Sequence, residues 1–296
     1  MLLPRFDYHE PESLSAAVEM MGRFKEKAKL LAGGTDLLIN MKHGLATPQE
    51  VVYLGRLPEL AAIGRQGGET HIGPLITAAT LARSGAELGQ ASVAAEAAAI
   101  LGSPLIRNRA TVGGNLVSAR PAADLLPPLM VLQARLSLRG PSGERQVDLG
   151  DFCTGPGQTV IAPDEILTAI ILPPLGEGCG GGYFKLGARK TLEISIVNAA
   201  AFLRLDGDGT IREARVVMGA VGPTPLRSPS TESLLVGERP KGPEDPIFSG
   251  AGLMAQNEAH PIDDHRGSAE YRLLMVDVLT RRALGRAWLK AQGEGS

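Results

Sequence analysis

Cysteine and histidine are both scarce in this sequence. Only two cysteines, Cys153 and Cys179, occur among 296 residues, which is too few thiolates to hold an iron–sulfur cluster or a four-thiolate zinc site. The five histidines form no HExxH motif and no comparable pair. We therefore predict no metal site in this chain, and we expect both cysteines to be reduced thiols, as is usual in the cytoplasm.

A surplus of positive charge and a long apolar run are also missing. The 30 Lys and Arg residues are balanced by 32 Asp and Glu residues, whereas a nucleic-acid-binding chain shows a basic excess. No uncharged apolar run reaches the roughly 18 residues of a membrane-spanning helix. Pro4 and Arg5 come too early for a signal peptide. These absences favour a cytoplasmic protein that neither binds nucleic acid nor spans a membrane.

Aromatic residues are few, whereas glycine and proline are abundant. Aromatic side chains make up 4% of the chain, against 37 glycines and 21 prolines. Disorder does not follow, because 44% of the residues are hydrophobic and the net charge is only −2. The glycines are therefore expected in turns and at close backbone contacts of an ordered fold.

The first 55 residues alternate between strand and helix patterns. An apolar repeat at helical spacing begins at Leu14, after Pro11, and Gly22 is a plausible helix end. Strands are predicted at 28–32 and 51–54, with a short helix at 37–42 between them. This alternation predicts a small βαβ-like unit.

From residue 56 the pattern changes to short strands and alanine-rich helices. We predict strands at 70–73 and 165–172, helices at 76–82 and 93–101, and a hairpin that pairs 135–139 with 146–149. The stretch 176–182 has five glycines in seven residues, which makes it the best candidate for a domain boundary.

Antiparallel strands and a long helix are predicted beyond this boundary. The strands are placed at 183–187, 195–205 and 211–219, and the Asp-Gly-Asp-Gly sequence at 206–209 indicates a hairpin between the last two. The helix runs from Ser268 to about Gln292. Five of its large apolar or aromatic residues share one face: Tyr271, Leu274, Met275, Val278 and Leu279.

The first glycine loop, residues 30–37, follows a predicted strand and opens a helical turn. Its sequence is Leu30, Leu31, Ala32, Gly33, Gly34, Thr35, Asp36 and Leu37. Two glycines let the backbone approach a bulky anion without a Cβ clash, and the N–H groups at the helix start then face that anion. Thr35 offers a hydroxyl, and Asp36 is suited to cap the turn.

The second glycine loop, residues 111–115, repeats this chemistry. It consists of Thr111, Val112, Gly113, Gly114 and Asn115, and Asp124 follows nine residues later. An acid placed after a glycine loop often binds a ribose or another hydroxyl. A single Gly-Gly pair is usually just a tight turn, and neither loop fits GxGxxG or GxxxxGK[ST]. The presence of two such loops favours one shared diphosphate ligand.

Several motifs together resemble the FAD-binding subunits of the molybdenum hydroxylases, the family that includes xanthine dehydrogenase and carbon monoxide dehydrogenase. They cover essentially the whole chain in the expected order. The motifs are AGGTD at 32–36, TVGGN at 111–115, the S-x-x-P-x-x-D stretch at 118–124, Asp-Glu-Ile-Leu at 164–167, Tyr-Phe-Lys at 183–185 and the segment 265–272.

This resemblance implies an α+β fold. A two-part FAD-binding domain is expected at 1–175, with a small βαβ unit at about 1–55 and a mixed or antiparallel sheet with helices at about 56–175. A C-terminal α+β domain with antiparallel strands and helices is expected at 180–292. FAD would lie extended between the parts, with its diphosphate wrapped by the two glycine loops.

The resemblance also assigns cofactor contacts outside the loops. Asp124 would contact the ribityl or ribose hydroxyls, and Leu101, Leu167 and Lys185 match positions that line the cofactor in the xanthine dehydrogenase branch. The plainer interpretation makes the two leucines core residues and Lys185 a solvated strand lysine. We predict no catalytic acid, base or nucleophile, because electron transfer requires none.

Function follows from the same resemblance. Substrate would be oxidised at a molybdenum cofactor on a large partner subunit, and electrons would cross two [2Fe–2S] clusters on a small partner before reaching FAD in this chain. The expected assembly is (αβγ)2, and NAD+, a quinone, ferredoxin or oxygen would be the acceptor. Residues 189–193 would lie near the acceptor side of the flavin, where Arg189 and Lys190 are suited to a phosphate, although a solvated loop is the plainer interpretation.

Two other classes of protein remain open from the sequence. One is a free-standing FAD-dependent reductase with the same FAD-binding fold, which would need its own substrate pocket and general acid. The other is a scaffold subunit that no longer binds FAD. The C-terminal motif at 265–272 argues against the first, and the intact glycines of both loops argue against the second.

Overall fold

Four sheets and a set of mostly short helices build the chain, whose computed structural model describes residues 2–189 and 193–294. The strands are β1 (Asp7–His9), β2 (Ala28–Leu31), β3 (Glu50–Tyr53), β4 (Ile63–Gln66), β5 (Glu69–Ile72), β6 (Arg135–Gly140), β7 (Gly143–Asp148), β8 (Cys153–Gly155), β9 (Gln158–Thr159), β10 (Ile166–Leu172), β11 (Cys179–Leu186), β12 (Val197–Leu205), β13 (Ile211–Gly219) and β14 (Leu226–Arg227).

Twelve α-helices are assigned within the described residues. They are α1 (Leu14–Phe24), α2 (Leu37–Lys42), α3 (Ala78–Arg83), α4 (Gly85–Leu88), α5 (Val93–Ala99), α6 (Pro104–Arg107), α7 (Val112–Val117), α8 (Leu126–Val131), α9 (Leu149–Phe152), α10 (Pro229–Leu235), α11 (Pro246–Glu258) and α12 (Ala269–Ala291). None of the helices in residues 2–189 and 193–294 is both long and apolar enough to cross a membrane.

The N-terminal unit is a three-stranded parallel sheet in the order β1-β3-β2. Helix α1 begins where the Ser13 hydroxyl accepts from the N–H of Ala16, and it buries Ala17 and Met21. It continues past Gly22 to Phe24, so Gly22 is not the helix end that the sequence suggests. Strands β2 and β3 pair in parallel and are joined through α2. Parallel neighbours need such a crossover connection, so this part of the chain forms the predicted βαβ unit.

The second sheet is five-stranded, in the order β4-β5-β10-β6-β7, and every pairing within it is antiparallel. The predicted hairpin of β6 and β7 closes at Gly140 opposite Gly143. Short helices cover this sheet and share its apolar core with fully buried side chains such as Leu126, Leu129 and Phe152. Of the two free cysteines, Cys153 is half-buried and Cys179 is buried.

The third sheet, β11-β12-β13-β14, is antiparallel and supports α12 on one face. Strand β11 begins at Cys179, inside the glycine-rich stretch that the sequence suggests as a boundary. A Cβ on Gly180 would lie 2.1 Å from the carbonyl oxygen of Ala287, and one on Gly182 would lie 2.2 Å from that of Ala283. These glycines therefore let the α12 backbone pack directly against the strand.

Small residues rather than large ones form the buried face of α12. Ala283 and Ala287 are fully buried, whereas Tyr271 and Leu274 are exposed. The apolar face of α12 predicted from the sequence therefore coincides only partly with the face that packs on the sheet. The helix lies so close to Gly180 and Gly182 that only small side chains such as alanine fit between helix and strand.

The opposite face of the third sheet forms a seam with the middle part of the chain, the short helices that cover the second sheet. Tyr183, Ala200, Phe202 and Val217 belong to the same core cluster as the helices that cover the second sheet. Across this seam, Lys290 of α12 and Glu96 of α5 form an ion pair. The seam brings β11 next to the segment that carries Asp124.

Candidate functional site

Both glycine loops line one cavity of about 610 Å³. The N-terminal sheet supplies the first loop at the end of β2, and the start of α7 supplies the second. The predicted residues that line this cavity are Leu30, Ala32, Gly33, Gly34, Thr35, Asp36, Leu37, Leu101, Thr111, Gly114 and Asn115.

Gly33 allows the two glycine loops to touch. A Cβ at this position would lie 1.9 Å from the carbonyl oxygen of Arg109, just before the second loop. No real Cβ contact is that short, so any other residue would push the loops apart. The next residue, Gly34, has φ +77°, a left-handed conformation that glycine adopts without strain.

The first loop carries a run of unused backbone donors. Among the hydrogen bonds of the described residues, none uses the N–H groups of Gly33, Gly34, Thr35 or Asp36. Successive N–H groups in a loop of this kind form an anion-binding concavity. Asp36 occupies the N-cap position of α2 but its side chain makes no capping bond, so the expected cap is not formed and the carboxylate lines the cavity instead.

The second loop differs from the first, because its N–H groups are already engaged. Val112 donates to the Ile76 carbonyl at 2.8 Å, Gly113 to the Pro74 carbonyl at 2.9 Å, and Gly114 to the Thr111 hydroxyl at 3.1 Å. The N–H groups that remain available to an anion are therefore mostly those of the first loop. The second loop lines the cavity at Gly114, where no side chain projects into the space.

A second cavity of about 760 Å³ continues from the first. The two share several lining residues, including Asp36, Leu101, Asn115 and Arg120. Asn115 also links them, because its Oδ1 accepts from the N–H of Leu125 at 3.1 Å and so holds the segment next to Asp124. The result is one elongated space with the glycine loops at one end.

Asp124 lies in the wall of the second cavity and is held by three donors from the third sheet and its flank. Lys185 Nζ donates to Oδ2 at 2.7 Å, while the Tyr183 hydroxyl and the Ser195 hydroxyl donate to Oδ1 at 3.0 and 2.7 Å. The Asp124 and Lys185 side chains are each only 8% exposed. Burial, together with the Asp124 charge, raises the pKa of Tyr183, so its phenol remains a donor.

Tyr183 and Ser195 are members of this cluster that the sequence did not single out as cofactor residues. They lie 59 and 71 positions from Asp124 in the chain, and no local motif joins them. Lys185 is paired and buried rather than a solvated strand lysine.

Five predicted residues line neither cavity: Leu31, Val112, Gly113, Leu167 and Lys185, the last of which reaches Asp124 in the cavity wall. Val112 and Leu167 belong to the core beside the second sheet, and a Cβ on Gly113 would meet Pro74. Leu31 ends β2 half-buried. Part of the predicted acceptor loop, residues 190–192, lies outside the described residues, while Arg189 pairs with Glu193 at 2.6 Å.

An ion-pair cluster that the sequence did not predict borders the far end of the second cavity. Asp264 pairs with Arg266 and with Arg272, and Arg272 also donates to the Ala220 carbonyl at 3.2 Å. The Arg266 side chain is the main reason that the pKa of Asp264 lies well below its usual range. The Arg272 side chain is only 3% exposed, so the Asp264 carboxylate is its necessary counter-charge.

The residues present suit the diphosphate of an extended dinucleotide such as FAD. The first loop supplies free N–H groups, and both loops remove Cβ atoms where a bulky anion would approach. Such a site needs few basic side chains, and Arg120 is the cation that lines both cavities. Within residues 2–189 and 193–294 no group of three or more His, Cys, Asp or Glu residues could hold a metal ion.

Two family models together match nearly the whole chain. Residues 4–175 match the family described as FAD binding domain in molybdopterin dehydrogenase, and residues 182–287 match CO dehydrogenase flavoprotein C-terminal domain. The carbon monoxide dehydrogenase medium chain of Hydrogenophaga pseudoflava is 32% identical over 98% of this chain and 99% of its own. The xanthine dehydrogenase FAD-binding subunit of Escherichia coli O157:H7 is 32% identical over 97% of each chain.

Solved structures show the same likeness. A carbon monoxide dehydrogenase structure from Hydrogenophaga pseudoflava, which lacks the Mo-pyranopterin moiety, superposes with a TM-score of 0.92 at 32% identity, over 98% of this chain and 99% of the other. Quinoline 2-oxidoreductase from Pseudomonas putida 86 gives a TM-score of 0.90 at 25% identity, over 98% and 99%. The two-domain α+β fold is therefore that of the matched chains.

Proposed function

This chain belongs to the family of FAD-binding subunits of molybdenum-containing dehydrogenases, and we propose that it is the subunit that passes electrons from [2Fe–2S] clusters to an acceptor such as NAD+. The observation that carries this proposal is the single cavity lined by both glycine loops, with four free N–H groups on one side and a Cβ-free wall on the other.

The two ends of the elongated space would bind different parts of FAD, the diphosphate at one end and the ribityl chain at the other. The first glycine loop would donate to the diphosphate through Gly34, Thr35 and their neighbours, while Gly114 would admit the phosphates at van der Waals distance. Asp124, fixed by Lys185, would accept from hydroxyls of the ribityl chain. Leu31, Leu167 and the other predicted cofactor residues remain part of this proposal, as residues that support the groups in direct contact with FAD.

FAD, when bound, accepts and releases electrons singly or in pairs, and the protein supplies binding, orientation and the electrostatic setting. The chain's own residues need to move no proton for this task. The carboxylate of Asp124 is held by three donors, and Tyr183 keeps its proton because burial raises its pKa. We therefore assign no catalytic acid or base.

The proposed partners are a large subunit with the molybdenum cofactor and a small subunit with the [2Fe–2S] clusters, assembled as (αβγ)2. Relatives named as medium chains or medium subunits support this, among them the nicotine 6-hydroxylase medium subunit of Paenarthrobacter nicotinovorans, 32% identical over 96% of this chain and 98% of its own. Arg189, which is exposed in the predicted acceptor loop, suits a phosphate of NAD+ as the acceptor.

Reconstitution with the two partner subunits tests this role. The FAD-loaded chain alone should oxidise no organic substrate, whereas the complete complex with its substrate should reduce NAD+, followed by absorbance at 340 nm. Turnover of the complex with a quinone but not with NAD+ would reject NAD+ as the acceptor. Substrate turnover by the isolated chain would instead support a free-standing reductase and contradict the subunit role.

A further inference from the structure

The protein uses the two carboxylate oxygens of Asp124 unequally. Oδ1 accepts from the Tyr183 hydroxyl at 3.0 Å and from the Ser195 hydroxyl at 2.7 Å, whereas among the described residues Oδ2 accepts only from Lys185 Nζ, at 2.7 Å. An ionised carboxylate has about two acceptor positions on each oxygen. The protein therefore fills both positions of Oδ1 and leaves one position of Oδ2 open.

The two donors to Oδ1 are buried in the third sheet and its flank, behind the wall of the cofactor space. Tyr183 is almost fully buried on β11. Ser195 is fully buried, and the N–H of the next residue, Ile196, donates to the Leu186 carbonyl at 2.8 Å, which ties this segment to the end of β11. Neither Tyr183 nor Ser195 lines the two cavities, whereas Asp124 lines the second. Both hydroxyls therefore act on a ligand through Asp124.

The open position of Oδ2 determines which ligand group it takes. An ionised carboxylate only accepts hydrogen bonds, so the ligand group has to be a donor. Phosphate oxygens at neutral pH are acceptors and carry the same sign of charge as Asp124. A sugar hydroxyl is a suitable donor. In FAD the ribityl hydroxyls follow the diphosphate along the molecule, as Asp124 follows the glycine loops along the elongated space.

We propose that Tyr183 and Ser195 are positioning residues that fill Oδ1 of Asp124, so that Oδ2 is presented to a single hydroxyl of the flavin's ribityl chain. This inference rests on the proposed function as an FAD-binding subunit and names the part of FAD that the seam selects. A flavin without that hydroxyl leaves an acceptor of a nearly buried charge unfilled. Hydrogen bonds to charged groups are the stronger ones, so the loss corresponds to at least about tenfold in affinity.

FAD analogues that lack one ribityl hydroxyl test this inference. The Kd values of FAD and of its 2′-deoxy, 3′-deoxy and 4′-deoxy analogues are measured with the flavin-free full chain by flavin fluorescence. The unmodified chain should bind one of these analogues at least about tenfold more weakly than FAD. In Tyr183→Phe and in Ser195→Ala the same ratio should fall to about threefold or less, because Oδ1 then has an open position and the carboxylate is free to turn.

Two controls separate positioning from damage to the fold. ADP lacks the ribityl chain and the flavin ring, so its Kd reports on the glycine loops and should be equal in all these chains. Ser137→Ala is the matched variant, because Ser137 is another buried serine whose hydroxyl donates to a carboxylate, that of Glu144, and neither residue lines the two cavities. This variant should keep the ratio of the unmodified chain.

The possible results distinguish the inference from the proposed function. An unchanged ratio in Tyr183→Phe and Ser195→Ala, or an equal fall in Ser137→Ala, would overturn the positioning role while FAD binding stands. Equal affinity of the unmodified chain for FAD and all three analogues would also overturn it. No binding of FAD to the unmodified chain would instead reject the proposed function.

A crystal structure of the unmodified, FAD-loaded chain covers the case in which these variants do not fold. One ribityl hydroxyl oxygen should lie about 2.5 to 3.0 Å from Oδ2 of Asp124, with Tyr183 and Ser195 still bound to Oδ1. A ribityl hydroxyl bound to Oδ1, a Ser195 hydroxyl turned towards the flavin, or no ribityl hydroxyl at Asp124 would refute the inference.

Discussion

Glycine is needed at positions 33 and 114 for two different reasons. Gly33 is required by the fold, because its Cβ would collide with the Arg109 carbonyl oxygen. Gly114 meets only a side-chain atom: its Cβ would lie 2.9 Å from the Thr111 hydroxyl, which has to shift slightly, and its backbone conformation is ordinary. Since Gly114 faces the cavity, the need for glycine there comes from the proposed ligand.

Gly114→Ala should therefore weaken FAD binding without unfolding the protein. We expect the Kd for FAD to rise at least about tenfold, which corresponds to about 1.4 kcal/mol. Alanine is up to about 1 kcal/mol better than glycine inside a helix, which offsets crowding at the Thr111 hydroxyl. Flavin fluorescence titration and thermal unfolding give the two readouts.

The matched control is Gly64→Ala, an exposed position of β4 where a Cβ would meet nothing within 4 Å. This variant should bind FAD as the unmodified chain does. Equal FAD affinity for Gly114→Ala and Gly64→Ala would show that the phosphates do not approach the second loop.

At the scale of single elements, α12 depends on two contacts, one with β11 and one with the loop before it. Gly180 and Gly182 allow the helix backbone to touch the strand. At the other end, Asp264 holds Arg272 in the first turns of the helix and Arg266 in the loop. Both contacts can be tested by single substitutions.

Gly182→Ala should destabilise the third sheet and its helix. The added Cβ would lie 2.2 Å from the Ala283 carbonyl oxygen, and because backbone must move, we expect a loss of about 1 to 3 kcal/mol in the free energy of unfolding. Gly207→Ala, in an open hairpin with nothing within 4 Å, is the control and should change stability little. Equal urea midpoints for the two variants would contradict the packing described for α12.

Asp264→Asn should cost about 3 kcal/mol of unfolding free energy at pH 7, because it leaves the buried Arg272 charge without compensation. The pKa of Asp264 is lowered in the folded chain, so its contribution is fully present above the ordinary value of about 3.9. That contribution shrinks as pH falls below this value and is lost on passing through the lowered pKa.

Urea unfolding at a series of pH values, with the exposed Asp7→Asn as control, measures this effect. The gap between the unmodified chain and Asp264→Asn should be widest near neutral pH and narrow in acid. A gap that stays constant down to pH 3 would mean that Asp264 does not act through its charge.

Elements with strong local signals were predictable from the sequence, and long-range contacts were not. The helix at 37–42 and the strand at 211–219 agree with α2 and β13 at both ends. The strand at 179–182 was missed, because glycine lowers strand propensity and only the contact with α12 explains it. For the same reason the buried face of α12 was misjudged.

The site residues also fall into those that local sequence patterns predicted and those that depend on long-range contacts. Sequence spacing predicted both glycine loops and Asp124 as site residues, since each has a local pattern. It gave no sign of Tyr183 and Ser195, which reach Asp124 only across the seam. Nor did it show that the N–H groups of Val112 and Gly113 donate to the carbonyls of Ile76 and Pro74, because that contact is between distant parts of the chain.

At the scale of the whole molecule, one elongated space links the N-terminal sheet, the second sheet and the third sheet. The glycine loops stand at one end, and Asp124 and the Asp264 cluster border the other. The proposed ligand carries a diphosphate for the glycine loops and a polyhydroxyl chain for Asp124. FAD has both, whereas FMN and riboflavin lack the diphosphate and the adenosine beyond it.

The most direct test of this account is a titration of the flavin-free chain with FAD and with FMN, followed by flavin fluorescence. We expect saturation at one FAD per chain, with FMN at least about a hundredfold weaker, a difference of about 2.7 kcal/mol. That margin reflects the free N–H groups of the first loop, which only a diphosphate would fully use. No binding of FAD, or equal affinities for FAD and FMN, would contradict the assignment of the glycine loops to the diphosphate.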